Sequence, residues 1–175
     1  LTEYCPSLKS NENLLCFERK HRSVMWGIRD LVDKVTYDGG FNSTTVNVSK
    51  LNQKRMDWLV DNDEYNICRS LKPKCHKKKD SHPSVYGRMF PNRPSPTITA
   101  GYTSNGQGRF THPIAKPGRT ITPHEAARIQ TFPDWYKFPD GKGVRQILKK
   151  SIGNAVPPLL GLYVGYVAIQ TLLEN

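Results

Sequence analysis

The chain has 175 residues, 37% of them hydrophobic, and a net charge of +11. This length is enough for one domain with its own core, and the absence of internal repeats excludes a repeat protein. The positive charge favours nucleic acid over a membrane as partner, because no lipid-anchor motif or basic amphipathic helix is present. No segment resembles a signal peptide, so the four cysteines are expected to be reduced thiols in the cytoplasm.

Two amphipathic helices are predicted in the first half of the chain. Residues 23–35 carry apolar side chains at helical spacing, at Val24, Ile28, Leu31 and Val32. Residues 49–60 carry inward-facing apolar side chains at Leu51, Met56, Leu59 and Val60. Ser49 stands at the N-cap position of this second helix. Between the two helices, residues 44–48 are a candidate for a short strand.

The most densely charged stretch covers residues 68–80, which we interpret as an exposed basic loop. Its lysines are Lys72, Lys74, Lys77, Lys78 and Lys79. Such lysines either contact phosphates, which position a protein on DNA without reading its sequence, or form a solvated face. Cys68 and the Cys75-His76 pair lack the spacing of a structural zinc site, so no metal is expected.

The character of the sequence changes at residue 84. Residues 84–90 and 97–100 are predicted strands, joined by a proline-rich turn at 91–94 and followed by a flexible loop at 103–108. Arg88, Arg93 and Arg109 are planar donors that suit guanine edges or phosphates. Gln107 stands between two glycines that allow close approach to a duplex, where it can read an adenine edge or fill the gap left by a displaced base. The alternative is an ordinary hairpin loop with solvated arginines.

A helix with clear start and stop signals begins after Arg119. Thr122 is the predicted N-cap, Pro123 occupies the first helical position, and Glu125 completes a capping box. Phe132-Pro133 ends the helix, because a residue before proline is pushed out of the α region. An aromatic anchor follows at Trp135, Tyr136 and Phe138. The motif His124-Glu125 lacks the second histidine of a zinc-protease helix, since residue 128 is arginine.

The last block, residues 151–160, reads SIGNAVPPLL and leads into an apolar segment at 155–169. This segment is too short to span a bilayer, so we expect it to be buried on several sides in a protein core. Gly161 and Gly165 form a G-x-x-x-G spacing that indicates close helix packing.

These two carboxy-terminal blocks, in this order, resemble the last two sequence blocks of the DNA cytosine-5 methyltransferases. The first family block reads roughly R-x-L-T-P-x-E-A-A-R-x-Q-x-F-P-D, and the second contains G-N-A-V-P-P. Matches to the first are Arg119, Thr122, Pro123, Glu125, Ala126, Ala127, Arg128, Gln130, Phe132, Pro133 and Asp134. Matches to the second are Gly153, Asn154, Ala155, Val156, Pro157 and Pro158. Residues 85–113 extend the likeness, since they look like the end of the family's target-recognition domain.

The resemblance implies an α/β fold, with this chain as the carboxy-terminal part of a Rossmann-like S-adenosylmethionine-dependent methyltransferase. It also implies a small, mixed α+β target-recognition region, with most of the catalytic sheet outside this chain. Asn154 and Ala155 would contact the cofactor S-adenosylmethionine, and capping of the last helix by Asn154 is compatible with that role. Thr97, followed by Ile98, matches the family's Thr-Leu pair beside the target base. Double-stranded DNA would be contacted by Arg88, Arg93, Thr97, Thr99, Gln107 and Arg109.

The family's catalytic blocks are missing from this sequence. In the family a cysteine thiolate from a Pro-Cys-Gln block attacks C6 of a cytosine flipped out of the duplex, and C5 takes the methyl group. A Glu-Asn-Val block and a Gln-x-Arg-x-Arg block are also absent, and Cys5 does not stand in a matching setting. No catalytic residue is therefore assigned, and the chain alone is expected to be inactive. Its partner would be an amino-terminal catalytic lobe, in the same polypeptide or as a separate subunit.

The expected organisation has three parts. Residues 1–83 form a basic region, 84–118 the end of the target-recognition domain, and 119–175 the helices that complete the cofactor lobe. The host is expected to be bacterial or a phage, with the protein in the cytoplasm. Two alternatives stay open, namely a DNA-binding module without catalysis and a plain basic globular domain.

Overall fold

The computed structural model describes residues 22–34, 47–77, 82–139 and 144–173. Within these ranges the α-helices are α1 (Val24–Ile28), α2 (Lys50–Asp61), α3 (Pro123–Ile129), α4 (Arg145–Gly153) and α5 (Pro158–Leu173). Short 3₁₀ turns lie at Arg29–Lys34, Lys74–His76 and Asn105–Gln107. Among the described residues, β-pairing is limited to isolated bridges that join Thr111 to Arg88 and to Thr120.

The strands predicted at 84–90 and 97–100 are wrong. Tyr86 has a φ of 60°, which no strand allows, and its N–H donates to the Asn105 carbonyl at 2.7 Å. Residues 97–100 end in a turn closed by the Tyr102 N–H and the Thr99 carbonyl. The prolines that separate the two stretches remove ladder donors, so single bridges replace a sheet. The strand predicted at 44–48 falls mostly outside the described residues.

The two predicted amino-terminal helices are confirmed, with serine caps. The Ser23 hydroxyl accepts from the Trp26 N–H at 3.2 Å, and the Ser49 hydroxyl accepts from the Asn52 N–H at 3.4 Å. α1 is shorter than predicted because the chain continues as a 3₁₀ segment from Arg29. The inward placement of Leu51 is wrong, since its side chain lies on the solvent face of α2 and is 54% exposed.

The hydrophobic core is built around α3. Helices α1 and α4 both pack against it. The core residues are Val24, Ile28, Met89, Ile98, Tyr102, Phe110, Ile121, Ala126, Ala127, Leu148 and Ile152. They come from all three predicted parts of the chain, so one core joins residues on either side of the predicted boundaries. The three-part division itself stays a prediction.

Gly118 attaches α2 to the loop before α3. Its N–H donates to the Asp57 carboxylate at 2.8 Å, and its carbonyl accepts from the Gln53 side chain at 2.6 Å. A Cβ on residue 118 would stand 2.6 Å from the Met56 carbonyl carbon. Glycine is therefore needed for this close approach, which places the loop that leads into α3.

Helix α5 leaves its apolar side chains exposed. None of its residues is buried, and Leu172 and Leu173 are 78% and 79% exposed. The expectation that this helix lies in a core is therefore wrong for the described part of the chain, because no other described element covers it. A Cβ added to Gly161 or Gly165 would meet no described atom within 4 Å beyond the neighbouring backbone of its own helix, so the predicted close packing is not made here. The stretch Gln146–Leu173 is long and apolar enough to cross a membrane, by length and composition only. Residues 154–157 interrupt its helix.

Candidate functional site

A cavity of about 810 Å³ brings the two predicted functional segments together. Its walls are the start of α1, residues 95–98, the end of α3 and the loop that joins α4 to α5. Thr97 lines one wall, and Asn154 and Ala155 line another. These residues lie far apart in the sequence, and the fold makes them neighbours of a single space.

The stretch of residues 90–100, called the recognition segment below, presents Thr97 to this cavity. Ile98 is buried in the core, with 4% exposure, while Thr97 is exposed. Anchoring of Ile98 therefore fixes the backbone that carries Thr97. Thr99 is exposed as well, but its hydroxyl accepts from the Gly101 N–H at 3.2 Å and so stabilises the turn that follows.

The loop that carries Asn154 is fixed by the end of α3. The Gln130 side chain is buried and donates to the Ile152 carbonyl at 3.0 Å. The Thr131 hydroxyl accepts from the Leu159 N–H at 3.1 Å and so holds the first turn of α5. Asn154 is the C-cap of α4, with its side chain exposed at the cavity wall. Two bonds from α3 thus set the position of the loop on both sides of Asn154.

Arg128 organises the rim of the cavity. Its guanidinium donates to both oxygens of Asp134, at 2.8 and 2.5 Å, and to Asp30 at 2.5 Å. The pKa of Asp134 is lowered to about 2, chiefly because Arg128 hydrogen-bonds its carboxylate. The same bonds raise the pKa of Arg128 above its ordinary value. This network ties the end of α1 to the segment after α3.

A buried ion pair fixes the start of α3. The capping box is confirmed, since Thr122 and Glu125 each accept from the other's backbone N–H. Arg119 donates to both oxygens of Glu125 at 2.7 Å, and Glu125 is fully buried. Burial alone would raise the pKa of Glu125, but the hydrogen bonds from Arg119 and the proximity of the His112 ring lower it to about 2.

His112 is buried beside this ion pair. Its Nδ1 accepts from the N–H groups of Ile114 and Ala115, at 3.2 and 3.0 Å, so the ring proton lies on Nε2. Nε2 lies 3.3 Å from a Glu125 oxygen. Burial lowers the pKa of His112, although the Glu125 carboxylate opposes that shift. The residue is therefore neutral at physiological pH and connects the loop at 112–115 to α3.

The three arginines predicted to contact DNA have different surroundings. Arg88 is 3% exposed and forms an ion pair with Asp63, so the structure gives it a role inside the protein. Arg109 is half-buried and donates to the carbonyls of Tyr65 and Arg88 and to the Asn66 side chain. Arg93 is exposed, with its guanidinium 4.3 Å from the centre of the Phe90 ring.

Gln107 lies beside the recognition segment. Gln107 is exposed to solvent. Part of its side chain lies against Gly101, where an added Cβ would stand 2.2 Å from the Gln107 Oε1. Gly106 and Gly108 are likewise enclosed, by the Tyr86 and Phe110 rings, so their smallness serves packing within the loop. Gln107 therefore remains an accessible polar group next to the turn that follows Thr99.

Sequence reasoning gave no role to Gln130 and did not identify α4. Gln130 was noted only because its residue type matches the family pattern. Its role depends on a hydrogen bond to Ile152, which lies in a different helix further along the chain. Helix α4 had a local signal, since Leu148 and Ile152 are four residues apart and both are buried. Among the described residues, no group of three or more His, Cys, Asp or Glu side chains could hold a metal ion.

Comparison with known proteins identifies the class. The family model for C-5 cytosine-specific DNA methylases matches residues 10–169, so the chain belongs to that family. Enzymes of this family use S-adenosylmethionine as methyl donor. The resemblance of the two carboxy-terminal blocks to this family is thereby confirmed. The family has an S-adenosylmethionine-dependent Rossmann-like fold, and the described residues of this chain contain little β-structure.

The curated relatives described below are named Type II methyltransferases or methylases. The chain is 46% identical over 145 residues to the Type II methyltransferase M1.BsuMI of Bacillus subtilis (strain 168), covering 82% of the chain and 33% of that relative. It is 46% identical over 104 residues to the Type II methylase M.HgiDII of Herpetosiphon aurantiacus, covering 58% of the chain and 28% of that relative. The chain thus spans about a third of the length of these relatives.

A third relative is short. The Type II methyltransferase M.AquIB of Picosynechococcus sp. is 36% identical over 99 residues, which make up 52% of this chain and 67% of that relative. No solved structure matches the chain significantly.

Proposed function

We propose that this chain is the carboxy-terminal, target-recognition part of a DNA cytosine-5 methyltransferase of a bacterial or phage restriction-modification system. The observation that carries the proposal is the shared cavity, in which the recognition residue Thr97 faces the same space as Asn154. A base to be methylated and the methyl donor must meet at one point, so a single cavity bounded by both segments suits the reaction.

The DNA side of the site lies along residues 93–107. Thr97 supports the displaced base at the cavity wall, while Arg93, Thr99 and Gln107 are exposed to the duplex. Arg88 acts mainly by holding this segment in place, through Asp63. Arg109 is anchored by Tyr65 and Asn66 and keeps its positive charge available to the DNA. The net charge of +11 provides the general attraction to the phosphate backbone.

The cofactor side of the site is the loop at 153–159. An exposed amide at Asn154 adjoins an apolar wall made by Ala155, Pro157 and Leu159. This combination fits S-adenosylmethionine, which has a polar amino-acid end and a flat base. The cofactor supplies the methyl group, while Asn154 and Ala155 bind and orient it. Gln130 positions these two residues through the Ile152 carbonyl.

The nucleophilic cysteine comes from an amino-terminal catalytic lobe. That lobe supplies the Pro-Cys-Gln block, and this chain alone does not transfer a methyl group. The exposed apolar side chains of α5 provide a surface for the lobe to cover. We assign this helix to the lobe interface and not to a membrane, because the cavity adjoins its first residues.

The chain is either the end of a longer polypeptide or the small subunit of a split enzyme. The relative M.AquIB favours the second arrangement, because it is a short protein and two thirds of its length align with this chain. The enzyme acts in the cytoplasm, where its DNA is. The alternative function is a DNA-binding module without catalysis. Such a module would not need the loop at Asn154 to bind a cofactor.

Duplex binding by the isolated chain tests the DNA side of the proposal. Affinity is expected to fall by on the order of a thousandfold between about 50 and 200 mM salt, because phosphate contacts release counterions. Fluorescence anisotropy with a labelled duplex gives the affinity at each salt concentration. The Asn154→Ala variant is the control, and its DNA affinity should equal that of the wild type. An affinity that does not change with salt would contradict DNA binding by this chain.

A further inference from the structure

Two guanidinium groups lie over one aromatic ring on the recognition segment. The Cζ atoms of Arg93 and Arg109 are 4.3 and 4.9 Å from the centre of the Phe90 ring. Tyr65 stacks on the same ring at 4.5 Å, with an angle of 22° between the planes. The aromatic pair therefore gives two cations a common platform.

Neither cation has an acidic partner in the described part of the chain. Arg88, Arg119 and Arg128 are each matched by a carboxylate, from Asp63, Glu125 and Asp134 respectively. In contrast, no described carboxylate lies within 4.0 Å of Arg93 or Arg109. The acceptors that Arg109 uses are two carbonyls and an amide, which leave its positive charge uncompensated.

The mutual proximity of the two arginines is unfavourable without a ligand. Burial lowers the pKa of Arg109, and the positive charge of Arg93 lowers it further. Two like charges held close together attract an anion more strongly than either does alone.

Packing holds the Arg109 side chain, and hydrogen bonds hold the backbone of Arg93. The Arg109 guanidinium passes over Gly87, where a Cβ would stand 2.8 Å from one of its nitrogens. Arg93 belongs to a turn whose carbonyls accept from the first N–H groups of α1. The Arg93 carbonyl bonds to the Val24 N–H at 2.9 Å, and the Pro91 carbonyl bonds to the Met25 N–H at 3.1 Å. The pair is thus fixed by packing and not by an acidic side chain.

We propose that Arg93 and Arg109 together form a clamp for one backbone phosphate of the bound duplex. This inference rests on the proposed DNA function and specifies what these two residues contact. A guanine edge is read by the free fork of a single arginine. The fork of Arg109 is already engaged by Tyr65, Arg88 and Asn66, and the face of Arg93 lies on Phe90. The N–H donors that Arg93 and Arg109 do not use within the protein remain available, and both positive charges lie over the Phe90 ring. These features suit a backbone phosphodiester, which accepts hydrogen bonds from several directions.

Salt dependence distinguishes a phosphate contact from a base contact. We would compare the wild-type chain with Arg93→Gln and Arg93→Glu on two duplexes of unrelated sequence. Arg29→Gln removes the same charge from another exposed position and is the matched control. Loss of one phosphate contact should reduce the slope of log affinity against log salt by about 0.9, equally on both duplexes. The control should keep the wild-type slope.

The Arg93→Glu variant separates a lost contact from a damaged fold. Its carboxylate would neutralise Arg109, so the melting temperature should rise while the slope still falls by about 0.9, the value for one lost phosphate. Added inorganic phosphate should reduce wild-type affinity more than an equal ionic strength of chloride does. Slopes that match the control, or losses confined to one duplex, would overturn the clamp. A wild-type chain without salt-dependent binding would instead overturn the DNA function itself.

Discussion

Gly153 at the end of α4 lies directly against the backbone of Ala100. A Cβ on residue 153 would stand 2.2 Å from the Ala100 nitrogen and 2.4 Å from the Thr99 carbonyl carbon. The residue before Asn154 therefore touches the turn that follows Thr97. This contact makes the loop at 153–159 and the recognition segment one packed unit, because neither backbone can shift without moving the other.

Replacement of Gly153 by alanine tests this contact. The Cβ meets backbone atoms that cannot rotate away, so Gly153→Ala should lower the free energy of unfolding by about 1–3 kcal/mol. Gly161→Ala is the matched control, since the added Cβ would meet no described atom within 4 Å beyond the neighbouring backbone of its own helix. In the helix it should stabilise by about 0.5–1 kcal/mol. Urea unfolding of the two variants measures both values, and equal effects would contradict the close contact.

The buried ion pair of Arg119 and Glu125 should contribute more to stability than the ion pair of Arg128 and Asp134 at the rim of the cavity. Glu125→Gln leaves the Arg119 charge buried without a counter-ion, which costs about 3–5 kcal/mol. Asp134→Asn removes a pair at a carboxylate that is 54% exposed, so the expected loss is about 1 kcal/mol or less. Thermal unfolding of the two variants at pH 7 compares them. A loss in Glu125→Gln no larger than in Asp134→Asn would contradict the buried pair.

His112 should make stability depend on pH. Its pKa is lowered by burial from the ordinary value of 6.5, so below that pH the unfolded chain binds a proton that the folded chain does not. The free energy of unfolding should therefore fall as the pH drops below about 6.5, by up to about 1.4 kcal/mol per pH unit. His112→Asn should remove this slope between about pH 5 and 6.5, whereas His82→Gln at an exposed position should keep it. Denaturant titrations across this range measure the slope, and a slope that survives in His112→Asn would contradict a neutral buried His112.

The apolar side chains of α5 should control association. Leu160 and Val164 lie one turn apart and are 52% and 58% exposed. Glutamate at both positions should make the isolated chain more soluble and should prevent its binding to the catalytic lobe, because a buried carboxylate is costly. Gln170→Glu adds a charge at an exposed polar position and should change neither property. Size-exclusion chromatography with and without the lobe measures both, and lobe binding by the double variant would contradict this interface.

Local signals predicted the helices better than the loops. The capping box of α3 and the serine cap of α2 were predicted, because each depends on residues within one turn. The Ser23 cap of α1 is of the same kind but was not predicted. The strands at 84–90 and 97–100 were predicted wrongly, since β-branched and aromatic residues suggested pairing that the prolines prevent. The positive φ of Tyr86 also has no sequence signal, because bulky residues rarely adopt it.

The site itself was only partly predictable. Asn154 and Thr97 were identified by resemblance, but their shared cavity depends on the bond from Gln130 to Ile152 and on the packing of Gly153. The ion pair between Arg88 and Asp63 joins residues 25 positions apart, so sequence alone could not show that Arg88 is engaged. The sequence of α5 predicted both burial in a protein core and an exposed apolar face in the isolated chain, because apolar composition does not show whether the covering element lies in the same chain or in another.

Methyl transfer is the most direct test of the central claim. Labelled S-adenosylmethionine and unmethylated duplex DNA would be incubated with this chain, with an amino-terminal lobe that carries the Pro-Cys-Gln block, and with both. The account predicts no transfer by either part alone and transfer to cytosine C5 by the mixture. Transfer by this chain alone would contradict the account, because the nucleophile would then have to be one of its own cysteines.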